Sequence, residues 1–172
     1  MKKALLSLLA VCLLAVCLLA VSLTACSGGG TTTSKLVDMN LLRVNMMSAA
    51  SLRDGVTSVS GNMEDAEKNF SYISTLSYDK VADYFIVYST EGTADEIAVI
   101  AVKDAADVSE AASTLRAHVD DRLKLFQQYG PDQASRVEKA EIFTKDQYAV
   151  LLICDDSDAV KTAFEDFLSS NN

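Results

Sequence analysis

The sequence predicts an α+β fold: an antiparallel sheet of two hairpins in the order β-β-α-β-β-α, with N-terminal helical segments packing on the sheet. Three observations carry this. Two stretches, "DYFIVYSTEGTADEIAVIAVKD" and "VEKAEIFTKDQYAVLLICDD", each hold a pair of runs rich in β-branched and aromatic residues around a polar turn. Between them, apolar residues recur at helical spacing. The strands are apolar on both faces, so the sheet needs two covers.

In chain order, "KLVDMNLLRVNMMSAASL" (Lys35–Leu52) and "MEDAEKNFSYIS" (Met63–Ser74) read as helical segments, with Gly55 and Gly61 marking loops between them. The first hairpin spans about Tyr84–Ser89 and Glu96–Val102 around Gly92. A helix follows near Asp104 or Asp107. Asp107 and Glu110 have capping-box spacing, with Asp107 as the cap. Val108, Ala112, Leu115, Val119, Leu123 and Phe126 form its apolar stripe. Tyr129 and then Gly130-Pro131 end it, with the glycine suited to a left-handed cap. The second hairpin runs about Glu138–Thr144 and Tyr148–Cys154, and a last helix about Asp158–Leu168.

Alternation places Ile97, Val99 and Ala101 on one face and Ala98, Ile100 and Val102 on the other. Ala149, Leu151 and Ile153 likewise oppose Val150, Leu152 and Cys154. The helices after Asp104 and Asp158 are expected to form one covering layer. Leu36–Leu52, or a partner protein, is expected to form the other.

The region before this domain has a different character. Met1-Lys2-Lys3 precedes an apolar run from Ala4 to Val21 that contains the repeat "LLAVCLLAVCLLAV". Both a secretory signal and a membrane span begin this way. Leu23-Thr24-Ala25-Cys26 separates them, because its spacing resembles the lipobox of bacterial lipoproteins. In that family the cysteine thiol receives a diacylglycerol and signal peptidase cuts before it. The expected organisation is a lipoprotein signal peptide at 1–25, a flexible Gly/Thr/Ser tether at 26–34 and one α+β domain at 35–172. The resulting location is the extracytoplasmic face of the cell membrane, held by lipid on Cys26.

Of four cysteines, Cys12 and Cys17 leave with the signal and Cys26 takes the lipid. Cys154 alone stays in the domain, so an internal disulfide is excluded and stability must come from the core. Loss of Lys2 and Lys3 leaves 13 basic residues against 24 acidic ones, a net charge of −11. Such a field disfavours nucleic acid and anionic lipid surfaces.

Few residues have the spacing of a chemical site. Tyr129, Pro131, Asp132 and Gln133 form the most distinctive surface stretch, a candidate recognition loop whose plainer reading is a helix stop. Asp155, Asp156 and Asp158 are weak candidates for a hard cation, without the glycine and distal glutamate of an EF-hand; capping of the last helix explains them equally. His118, the single histidine, reads as a solvated residue on a charged helical stretch. Cys154, at a strand end, reads as an inert small hydrophobe. Phosphate loops, nucleophile elbows and metal-spaced Cys/His sets are missing, so neither a catalytic residue nor a cofactor is assigned.

"YFIVYS", "DEIAVIAVKD", "FQQYGPDQ" and "QYAVLLICDD" together resemble a family of small bacterial lipoproteins with a domain of unknown function, common in Gram-positive gut bacteria. The likeness covers roughly residues 64–165. That pattern often has a glycine one or two residues before the last strand's aromatic, where this chain has Asp146-Gln147. The resemblance implies a surface lipoprotein and no activity. The expected function is a membrane-anchored binding or interaction module of the cell envelope, with an envelope protein as partner. The alternatives are a solute-capturing lipoprotein for a transporter and a carboxylate-based envelope hydrolase.

Overall fold

The computed structural model describes residues 35–53 and 55–171; the expected signal peptide at 1–25, the expected tether and Cys26 lie outside the described residues. Five strands, β1 (Val56–Ser60), β2 (Val81–Ser89), β3 (Glu96–Val102), β4 (Glu141–Lys145) and β5 (Tyr148–Ile153), form one antiparallel sheet in the order β1-β2-β3-β5-β4. Both expected hairpins are present. They join through β3 and β5, where Glu96 stands opposite Ile153 and Ala101 opposite Tyr148.

Side-chain alternation sorts the core into two clusters. On one face Tyr84, Ile86, Ala98, Ile100, Leu151 and Ile153 pack with Phe70, Ala112, Leu115 and Val137. On the other, Phe85, Val87, Ile97, Val99, Val150 and Leu152 pack with Leu42, Met46, Phe164 and Leu168. Every residue of β3 and β5 is buried, as expected of strands covered on both sides.

The covers are arranged differently from the expectation in one respect. Helix α1 (Met39–Ala49) does fold back on the sheet, but it shares its face with α5 (Ser157–Asn171). The opposite face belongs to α2 (Ala66–Phe70), α3 (Val108–Tyr129) and α4 (Pro131–Val137). The 22-residue α3 shares its face with two shorter helices, whereas α1 and α5 lie side by side on the other. Asp38 caps α1 by accepting from the Asn40 and Leu41 amides at 2.9 and 3.1 Å. The Val37 amide donates to the Tyr148 hydroxyl at 3.1 Å and fastens the segment to β5.

Other boundaries shift. β1 forms where a loop is expected between Gly55 and Gly61. Its sequence VTSVS carries only two apolar residues, so partnership with β2 rather than hydrophobic pattern makes it a strand. Asp107 makes no side-chain cap; Lys80 bonds both Asp107 and Glu110, at 3.0 and 2.6 Å. Asp104 instead caps the short 3₁₀ turn Ala105–Asp107 through the Ala106 amide. Helix α3 ends at Tyr129, but Gly130 has φ −155°, outside the left-handed region, and Pro131 opens α4 at its first position. The first residues of the expected strand Glu138–Thr144 are thereby taken by the end of α4 and a turn. Asp146, in the β4–β5 turn, has φ 52°, a conformation that asparagine and aspartate tolerate better than most residues.

The phase of α3 gives a direct test. Leu115 is fully buried, Leu123 is partly buried against the same cluster, and Leu125 is half exposed. Leu115→Ala, and Leu42→Ala on the opposite face, are each expected to lower the unfolding free energy by about 2–5 kcal/mol. Leu125→Ala is expected to change it by less than about 0.5 kcal/mol. Urea titration of the three variants measures this.

Candidate functional site

Two adjacent carboxylates are buried where the β2–β3 turn enters β3. Asp95 is fully buried and Glu96 is 2% exposed. A buried carboxylate without a partner is strongly unfavourable, and both are paired. Asp95 accepts from Arg53 Nη1 at 3.1 Å, Arg136 Nη1 at 3.1 Å and Thr93 Oγ1 at 2.8 Å. Glu96 accepts from His118 Nε2 at 2.8 Å. A carboxylate only accepts, so this contact makes Nε2 the protonated ring nitrogen. Arg122 Nε lies 3.0 Å from Glu96 Oε2. Its N–H is not aligned on an acceptor, so the attraction is that of an ion pair.

The backbone just before is held too. The Ala94 amide donates to Gln133 Oε1 at 3.2 Å, and Arg122 Nη2 donates to the Ala94 carbonyl at 3.3 Å. His118 and Arg122 are four residues apart on α3 and so share one side of the helix. Arg136 and Gln133 come from α4, and Arg53 from the segment before β1.

Two clefts lie beside this knot. One, of about 270 Å³, is mainly apolar. Val59, Ile73, Ile86 and Tyr88 form its walls together with Glu96, His118 and Arg122, and the exposed ring of Tyr72 stands among them. The second, of about 360 Å³, is polar and is lined by Arg53, Asp132, Gln133, Arg136, Lys139, Cys154, Asp155 and Ser157 among others.

The polar cleft brings together residues that are scattered in the sequence. Asp132 and Gln133 sit in the first turn of α4, and Gln133 Nε2 donates to Asp132 Oδ2 at 3.0 Å. Tyr129 and Pro131 do not line this cleft; Tyr129 is the exposed last residue of α3. Asp155 accepts from Arg136 Nη2 at 2.6 Å and lies 3.9 Å from Arg53. Asp156 supplies its carbonyl to the Val160 amide, and Asp158 lies in the first turn of α5. Among the described residues no group of three or more His, Cys, Asp or Glu side chains is placed to hold a metal. Burial pushes the Cys154 thiol above its ordinary pKa, and its Sγ lies 3.7 Å from Ser157 Oγ. A raised pKa favours the protonated thiol, the less nucleophilic form.

His118 is not a solvated residue: its side chain is only 14% exposed, in contact with Glu96. Asp95, Glu96, Arg122 and Arg136 also went unmarked in the sequence. A signal did exist for Arg122, since it follows His118 by four residues and His118 follows Leu115 of the apolar stripe by three, which are helical steps.

The architecture defines an α+β domain whose antiparallel sheet is covered on both faces, with two clefts beside a buried pair of acids. The chain matches the family described as Domain of unknown function (DUF4358) over residues 56–154. It belongs to that family. The match begins at β1 and ends at Cys154, so it contains the whole sheet. No curated protein and no solved structure matches the chain.

Asp95→Asn is expected to lower stability by about 3 kcal/mol, the low end for a broken buried pair, because Arg136 then keeps only the exposed Asp155 as counter-charge. Asp155→Asn is expected to cost less than about 1 kcal/mol, since that carboxylate is exposed and screened. The Arg136 guanidinium beside it holds Asp155 below the ordinary 3.8. Its contribution is therefore full above that value and is lost as pH falls through the lowered folded value. Urea unfolding from pH 7 down to pH 3 should show wild type and Asp155→Asn converging at the acid end.

Proposed function

We propose that this protein is a bacterial lipoprotein, anchored through diacylglycerol on Cys26 to the extracytoplasmic face of the membrane, whose domain is a binding module for another envelope component. Leu23-Thr24-Ala25-Cys26 and the Gly/Thr/Ser spacer support the anchoring. The described residues contain no helix long and apolar enough to cross a membrane.

The observation that carries the binding reading is the apolar cleft. It combines aliphatic walls, an exposed aromatic ring and a few fixed polar groups, the composition that binds an apolar group and orients it. A carboxylate-based hydrolase would need two carboxylates free to face one substrate bond. Here Glu96 is held by His118 and Arg122, and Asp95 is held by Arg53 and Arg136. This arrangement favours binding over acid–base chemistry.

Two measurements test the proposal. Intact-mass analysis of protein extracted from membranes should find residues 1–25 removed and a diacylglycerol on Cys26. Cys26→Ser should give an unprocessed precursor or a released soluble form. Native pulldown of the lipidated protein should recover a partner that Tyr72→Glu, at an exposed cleft position, fails to recover. An unmodified Cys26 would overturn the anchoring, and identical recoveries from wild type and Tyr72→Glu would overturn the role of the cleft.

A further inference from the structure

The two edges of the sheet are protected unequally. The outer strand β4 (EIFTK) has a charge at each end, with Glu141 tied to Lys161. Charged residues on an edge oppose pairing with a further strand. The other edge, β1 (VTSVS), has no charge, no proline and no break in its register with β2.

The free groups of β1 can be assigned. Bonds from the Gly61 amide to the Tyr84 carbonyl and from the Thr90 amide to the Gly55 carbonyl bracket the ladder, at 3.0 and 2.7 Å. Antiparallel bonding alternates. Gly55, Thr57, Val59 and Gly61 therefore bond toward β2, while Val56, Ser58 and Ser60 turn their backbone groups outward. The Ser60 carbonyl accepts from the Met63 amide. Among the described residues, no strand other than β2 pairs with β1. Val59 packs into the cluster beneath α3 and also lines the apolar cleft. A strand laid against β1 would bring alternate side chains to that cleft.

We propose that β1 receives an extended, basic segment of a partner protein by strand addition, with apolar side chains of that segment entering the apolar cleft. This identifies the class of partner and rests on the binding-module reading above. Charge selects the occupant. Glu64, Asp65 and Glu67, against one lysine, line a hollow just beyond β1, and α2 packs on that strand. The Glu91 and Asp83 side chains lie against Gly55 and Gly61 at the two ends of β1. A second copy of this acidic chain would set like charges together, whereas lysines and arginines would be attracted. Backbone pairing supplies affinity in such recognition, and pockets for alternate side chains supply selectivity.

The test uses the immobilised full-length protein in detergent and a displayed random octapeptide library. Enriched peptides should alternate apolar and Lys/Arg residues and should bind more weakly as salt rises. Ser58→Pro removes one outward amide without touching a ladder bond, and edge strands accept proline; it should weaken the enriched peptides at least tenfold. The combined variant Glu64→Lys, Asp65→Lys, Glu67→Lys should weaken them similarly. On wild type, peptide binding should slow amide exchange at Val56 and Ser58, a readout that stands even if Ser58→Pro fails to fold. No enrichment, peptides without basic residues, or unchanged exchange at Val56 and Ser58 would overturn the proposal. So would a dimer that Ser58→Pro dissolves, which would make a second copy the occupant. A membrane partner lost with Tyr72→Glu but retained by a folded Ser58→Pro would overturn strand addition and leave the binding module standing.

Discussion

Two neighbouring carboxylates, Asp95 and Glu96, sit without solvent at the entrance to the central strand, and much of the molecule is arranged around that fact. The effective desolvation penalty is several kcal/mol per ion, so each acid requires cations delivered to it. Those cations are Arg53 before β1, Arg122 on α3 and Arg136 on α4, and His118 on α3 adds a hydrogen bond to Glu96. Helix α3 is thus fixed in rotation as well as position, because its apolar stripe and its His118/Arg122 pair must be satisfied together. The same contacts shape the two clefts, whose walls include the residues that neutralise the acids.

How much of this was legible in the sequence depends on whether local pattern or distant partnership decides the outcome. β3 was read to its exact bounds from "EIAVIAV", because a run of β-branched residues specifies a strand locally. The two-sided burial followed from the absence of polar alternation, which required a second cover from either the N-terminal segment or a partner protein; the N-terminal segment supplies part of it. β1 was missed because VTSVS is a strand only by virtue of β2. α5 covers the other face from the one expected, because alternation shows that two covers exist without showing which helix goes where. Asp95 and Glu96 look like ordinary turn acids in "TADEIAV", and their burial is set by Arg136 and His118, residues 41 and 22 positions away.

The proposed function joins features at opposite ends of the argument. The proposed lipid on Cys26 would hold the domain at the bilayer. An acidic surface suits a partner that approaches with basic residues. The knot beneath the clefts is held by several ion pairs and hydrogen bonds, and a wall already held in place loses little entropy when a ligand arrives. Binding would then depend on the edge of β1 and the cleft beside it rather than on movement of the sheet.

The central claim is that Asp95 is compensated specifically by Arg136 rather than merely tolerated in a polar turn. A double-mutant cycle measures this directly: unfolding free energies of wild type, Asp95→Asn, Arg136→Met and the combined variant. Residues in one ion-pair network show coupling of about 0.5–3 kcal/mol. The account predicts coupling in the upper part of that range, with the double variant more stable than Asp95→Asn alone. Additive effects, with the double variant losing the sum of both single losses, would contradict it.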